Sequence, residues 1–128
     1  MKFINKVFRA PSYLIFTIMI MLSVSQSSLA GDENPQIAWD KIDSGALIVD
    51  VRTAEEFAAG HLKNAINIPF QSIKMGLEKL HIDKDRSIVL YCRSGRRSGV
   101  ANETLVKNGY SNTYNGGGYE RLNTYTNK

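Results

Sequence analysis

Ser87-Ile88-Val89-Leu90-Tyr91 runs directly into Cys92-Arg93-Ser94-Gly95-Arg96-Arg97-Ser98. The first five residues carry β-branched and aromatic side chains without polar alternation, the pattern of a strand buried on both faces. Cys92 to Arg96 reads as a tight polar loop. Arg97 to Asn108 predicts a helix, with Ala101 and Leu105 on one face and Gly109 as its stop. A buried strand leading through a short loop into a helix is half of a βαβ unit, and the flanking sequence carries patterns for the other parts.

Upstream, Leu47-Ile48-Val49-Asp50-Val51 is a second compact strand. Thr53 caps a helix from Ala54 to Ala59, with Glu56 three residues on completing a capping box and Gly60 ending it. Ala65-Ile66-Asn67-Ile68 is a short strand closed by Pro69. Gln71 to Leu80 places Ile73, Leu77 and Leu80 at helical spacing. Ile37 to Ile42 predicts an amphipathic helix stopped near Gly45. Downstream, Tyr110 to Tyr114 predicts a weak strand, Gly116-Gly117-Gly118 a turn, and Tyr119 to Leu122 the start of a last helix. Strands alternate with helices throughout, which predicts an α/β fold with a central parallel sheet and helices on both faces.

In such sheets ligands bind beyond the carboxyl ends of the strands. Cys92 sits at that end of the strongest strand, before a helix whose N-terminal N–H groups create positive potential. That environment lowers a thiol pKa and makes a thiolate nucleophile. Arg93, Arg96 and Arg97 add positive charge, while Ser94 and Gly95 are small enough to let the backbone curl. The segment favours a sulfur anion beside an anionic substrate. A cysteinyl-phosphate chemistry would want an arginine six positions after the cysteine, and that position is Ser98. A cysteine protease would want an activating histidine. His61, in Gly60-His61-Leu62, reads as structural, and His81 as a surface residue. The triple glycine lacks dinucleotide-binding spacing, and no Walker loop is present.

The chain has 128 residues, 43% hydrophobic and 22% charged, which bounds it to one modest globular domain. With one cysteine, no intramolecular disulfide or cysteine-cluster zinc site can form. The formal charge of +4 suggests nucleic acid until the amino terminus is read. Lys2, Lys6 and Arg9 precede the apolar run Tyr13 to Leu22, and Ser28-Leu29-Ala30 follows. This is the order of a secretory signal with cleavage after Ala30, and the apolar run is shorter than the roughly 20 residues of a spanning helix. The expectation is a signal peptide over 1–30, a domain over 31–128, and a periplasmic product without stable membrane association. Cleavage removes three basic and no acidic residues, leaving a net charge of +1. No nucleic-acid partner is then expected.

Two stretches resemble the single-domain rhodanese family of sulfurtransferases. One is Asp50-Val51-Arg52-Thr53-Ala54-Glu55-Glu56-Phe57-Ala58-Ala59-Gly60-His61-Leu62-Lys63-Asn64-Ala65-Ile66-Asn67-Ile68-Pro69, similar to the family's amino-terminal signature, with Asn64 where a glycine is usual. The other is Tyr91 to Ser98, followed by Gly109-Tyr110 and Gly117-Gly118, similar to its active-site loop and closing elements. The resemblance implies a small rhodanese-like domain in which Cys92 accepts a sulfane sulfur as a persulfide. The donor would be thiosulfate or a similar small anion, and the acceptor cyanide or a thiol, including a protein thiol. Arg93, Ser94, Gly95, Arg96 and Arg97 would bind the donor, and Asp50 and Arg52 would pin the strand end. The six-residue loop Cys92–Arg97 suits sulfur donors, whereas related phosphatases use a loop one residue longer. No metal or organic cofactor is implied, and a monomer is expected. The alternative in a different class is a persulfide carrier or interaction module with little thiosulfate turnover.

Overall fold

A computed structural model of the chain describes residues 33–125. The expected signal peptide and its cleavage site lie outside the described residues. The elements run α1 (Pro35–Asp43), β1 (Leu47–Asp50), α2 (Ala54–Ala58), β2 (Ile66–Asn67), a 3-10 turn at Phe70–Ser72 continuing into α3 (Ile73–Lys79), β3 (Ile88–Cys92), α4 (Arg96–Lys107), β4 (Thr113–Gly118) and α5 (Tyr119–Thr124). The four strands form one parallel sheet in the order β2-β1-β3-β4.

The period-2 geometry of a strand divides the sheet's side chains between two cores. Val49, Val51, Ile88, Leu90 and Cys92 face Ile73 and Leu77 of α3 and Ala101 and Leu105 of α4. Ile48, Val89 and Tyr91 face Ala38 of α1 and Leu122 of α5. All five residues of β3 are buried, as its unbroken apolar run requires of a central parallel strand. Cys92 shares the face covered by α4, and this brings the thiol to the start of that helix.

Local signals set the helix boundaries. The Asn34 side chain caps α1, with Pro35 at its first position. Thr53 and Glu56 form the expected reciprocal capping box on α2. Asn64 adopts φ 68°, a left-handed turn conformation that asparagine tolerates. This accounts for its standing where a glycine is usual.

Three expectations are corrected. Gly116-Gly117-Gly118 is not a turn but the second half of β4, and the strand begins at Thr113 instead of Tyr110. The glycines serve close approach: a Cβ at Gly118 would stand 2.6 Å from the Arg93 carbonyl oxygen, and one at Gly116 would stand 3.0 Å from Val89. Between the pairs Leu90–Asn115 and Cys92–Gly118 the β4 strand carries one extra residue, a bulge that bends its end over the Cys92 loop. Leu80 is exposed, because α3 ends at Lys79 and Leu80 lies beyond its apolar stripe. Finally, α4 starts at Arg96, so Arg96 is the first helical residue and not the last of the loop.

Candidate active site

Cys92 is the last residue of β3 and has no exposed surface. Gly95, at φ 94°, turns the chain from the loop into α4. No side chain caps α4. Its leading N–H groups turn instead toward Cys92: the Gly95 N–H donates to Sγ at 3.0 Å, and the Ser98 hydroxyl lies 3.4 Å from Sγ. Burial opposes ionisation of the thiol. The Ser98 hydroxyl and the backbone N–H groups of Ser98, Ser94 and Gly95 outweigh it, and the pKa falls below the ordinary thiol value. An uncapped helix start aimed at a sulfur is an anion site whose anion is the thiolate itself.

The three loop arginines diverge. Arg97 turns across to α2, where Nη1 donates to Glu56 Oε1 at 2.7 Å and Nη2 to Oε2 at 3.0 Å. The Arg97 hydrogen bonds, followed by a burial penalty and the Thr53 backbone N–H, leave the Glu56 carboxyl lowered to about 2. Arg93 is exposed at the loop's outer edge and lines a cavity with Arg52 and Tyr119. Arg96 is exposed at the start of α4 and lines a separate groove with Glu33. Ser94 is exposed and Gly95 buried, and both contribute backbone N–H groups to the sulfur.

Sequence reasoning did not single out Ser98 or Asn115 as parts of the site. The Ser98 hydroxyl also lies 2.7 Å from Asn115 Oδ1 and 3.1 Å from the Gly95 carbonyl. Asn115 accepts the Gly117 N–H at Oδ1 and donates from Nδ2 to the Gly95 carbonyl at 3.0 Å, fastening the loop to β4. Ser98 had a findable signal, one helical turn after Gly95 and hence on the same side. Asn115 had none, because its partners are 17 and 20 positions away.

Behind the loop stands a buried ion pair. Arg52 donates from Nε and Nη2 to the Asp50 carboxylate, at 3.0 and 2.7 Å, and from Nη2 to the Gly60 carbonyl at 2.7 Å. Asn67 Nδ2 donates to the carbonyls of Asp50 and Arg52, tying β2 to the same turn. His61 stacks on Phe57 and holds the Phe57 carbonyl with Nδ1, a packing role. His81 is exposed.

Comparison with known proteins agrees with this geometry. The family model described as Rhodanese-like domain matches residues 34–123. The thiosulfate sulfurtransferase PspE of Escherichia coli is 39% identical over 74 residues, covering 58% of this chain and 71% of PspE. A tRNA uridine(34) hydroxylase of Hamiltonella defensa is 38% identical over 76 residues, 56% of this chain but only 21% of that protein. Among solved structures, a rhodanese with anions from Escherichia coli superposes with a TM-score of 0.57 at 36% identity, covering 59% of this chain and 89% of that one.

Proposed function

The chain belongs to the rhodanese-like family, a relationship that supports sulfur transfer in general, and from that premise we propose that it is a thiosulfate sulfurtransferase working through a Cys92 persulfide. The observation that carries the reading is the set of N–H groups and the Ser98 hydroxyl gathered on Sγ. The Cys92 thiolate attacks the outer sulfur of thiosulfate, the new Sγ–S bond forms as the old S–S bond breaks, and sulfite leaves with the electron pair. The loop N–H groups and Arg93 and Arg96 stabilise the anions, as preorganised donors do in covalent catalysis. Arg97, already bound to Glu56, acts at the margin of the site. Cyanide or a thiolate then takes the outer sulfur and regenerates the thiolate. No metal or organic cofactor enters these steps.

Cys92 is buried beneath its loop, which favours small donors over bulky ones. We further propose that the protein acts as a monomer outside the cytoplasm, after removal of residues 1–30. The PspE relationship and the loop length support thiosulfate over a phosphate ester. The test is intact-mass spectrometry of the reduced protein after incubation with thiosulfate. One added sulfur, located on the Cys92 peptide and discharged by cyanide, is expected. Sulfur uptake without steady-state turnover would make the protein a carrier instead.

A further inference from the structure

A cavity of about 300 Å³ opens beside the Cys92 loop, lined by Arg52, Glu56, Gly60, Arg93, Tyr119 and Glu120. Of its lining residues the donor chemistry above uses only Arg93. Its wall holds an unusual group. Arg52 is only 6% exposed, and its Nε and Nη2 are spent on Asp50 and Gly60. Nη1 makes no hydrogen bond among the described residues. Among the described residues the Tyr110 hydroxyl is the one enclosed side-chain polar atom without a partner, so Arg52 Nη1 is not enclosed but open to the cavity it lines. The guanidinium is also clamped over the Tyr119 ring, 4.6 Å from its centroid, and lies 5.7 Å from the Tyr91 centroid. The Tyr119 hydroxyl overhangs Gly60, where an added Cβ would stand 3.2 Å from it. It too makes no hydrogen bond among the described residues.

Three residues that carry donors therefore line one cavity: Arg52 with Nη1, Tyr119 with its hydroxyl, and Arg93. Asp50 holds Arg52 rigid, so a ligand pays little ordering entropy to use it. The Glu56 oxygens accept from Arg97 and from the Thr53 N–H and hydroxyl and do not compete for these donors. Glu120 is exposed at the rim and disfavours ligands with several negative charges.

We propose that this cavity binds the carboxylate of the sulfur acceptor, and that the acceptor class is a small thiol bearing one carboxylate. The proposal rests on the sulfur-transfer reading and specifies its second half-reaction. Arg93 lines the cavity and follows Cys92 directly in the chain, so the cavity borders the loop that would carry the persulfide. The acceptor thiolate attacks the outer sulfur, the bond between that sulfur and Sγ breaks, and the electron pair returns to the Cys92 thiolate. The product is the acceptor's persulfide anion, and no oxidant or reductant is consumed.

The test has two arms. In the first, persulfide-loaded protein is discharged by 3-mercaptopropionate and by 2-mercaptoethanol, compared at equal thiolate concentration. The specificity constant should favour the carboxylate-bearing thiol about tenfold, the value of one charge-assisted contact. Tyr119→Phe and Ala59→Glu, the latter placing a carboxylate on the exposed cavity wall, should each shrink that ratio toward unity. No preference in the parent, or one unmoved by both variants, overturns the proposal. A Tyr119→Phe effect on thiosulfate alone reassigns the cavity to the donor and overturns it as well. In the second arm, Cys92→Ser protein is titrated with 3-hydroxypropionate while the Arg52 Nε–H and Tyr119 resonances are followed. Saturable shifts are expected, and their absence overturns the proposal. This arm needs no persulfide. Binding without sulfur uptake by the parent's Cys92 would refute the transfer reading alone, and sulfur uptake without binding would refute the cavity assignment alone.

Discussion

Two loops leave adjacent parallel strands, and each leads into a helix, but they use their polar groups in opposite ways. After β1, the turn at 51–53 spends nearly all its polar groups within the scaffold, Arg52 Nη1 excepted. Asp50 and Arg52 pair in the core, Thr53 and Glu56 cap α2 reciprocally, and Gly60 and Asn67 take up the remaining bonds. After β3, the turn at 93–95 has no side-chain cap, and its N–H groups point at a sulfur. The first loop is built as a scaffold. The second keeps its donors for an anion, and its stability depends on the first. Glu56 belongs to both, capping α2 while holding Arg97 at the start of α4. A site that must bind charge needs unspent donors, and a neighbouring loop whose donors, Arg52 Nη1 apart, are paired within the scaffold keeps them in place.

The sharpest way to break the comparison is Cys92→Ser. Sulfur uptake from thiosulfate, read by intact mass, should vanish. Urea unfolding should shift by no more than about 1 kcal/mol, since the change is nearly isosteric. Retained uptake would remove Cys92 from the reaction. The converse experiment is Asp50→Ala in the scaffold loop. It strands the Arg52 charge in the core and should cost about 3–5 kcal/mol of unfolding free energy. A cost below about 1 kcal/mol would show that the pair is not what anchors the turn.

Smaller effects refine the contrast. Iodoacetamide alkylation of Cys92 should rise with pH at a midpoint below that of an unperturbed thiol, because hydrogen bonds to the thiolate outweigh its burial. Ser98→Ala should move that midpoint upward. An unmoved profile would assign the thiolate wholly to backbone N–H groups. The smallest effect belongs to Glu56→Gln, which keeps a capping side chain but loses the ion pair. The folded pKa of Glu56 is lowered to about 2. The pair's contribution is therefore complete above the unfolded value of about 4.3 and is lost as pH falls toward about 2. The pair is partly solvent-screened, so parent and variant should differ by less than about 1 kcal/mol near neutrality and converge at low pH. A gap that widens on acidification would contradict the assignment.

Much of this was legible in one dimension. The apolar runs at 47–51 and 87–91, the Thr53–Glu56 box and the cysteine at a strand end are local patterns, and each appears where the sequence places it. Gly116 to Gly118 misled, because glycine signals both turns and close backbone approach. Only the position of β3 and its loop distinguishes the two. The three arginines were legible as charge but not as direction.

The sequence by itself determined most of the elements, the parallel α/β class and the placing of Cys92 at a strand end, because propensity, capping and periodicity act within a few residues. Only the tertiary structure decided that Arg97 pairs with Glu56, 41 positions away, that Asn115 fastens the loop from β4, and that Arg52 leaves one nitrogen beside Tyr119. These outcomes depend on which strands lie side by side and which helix covers which face. Chain packing sets that order, and no local pattern encodes it.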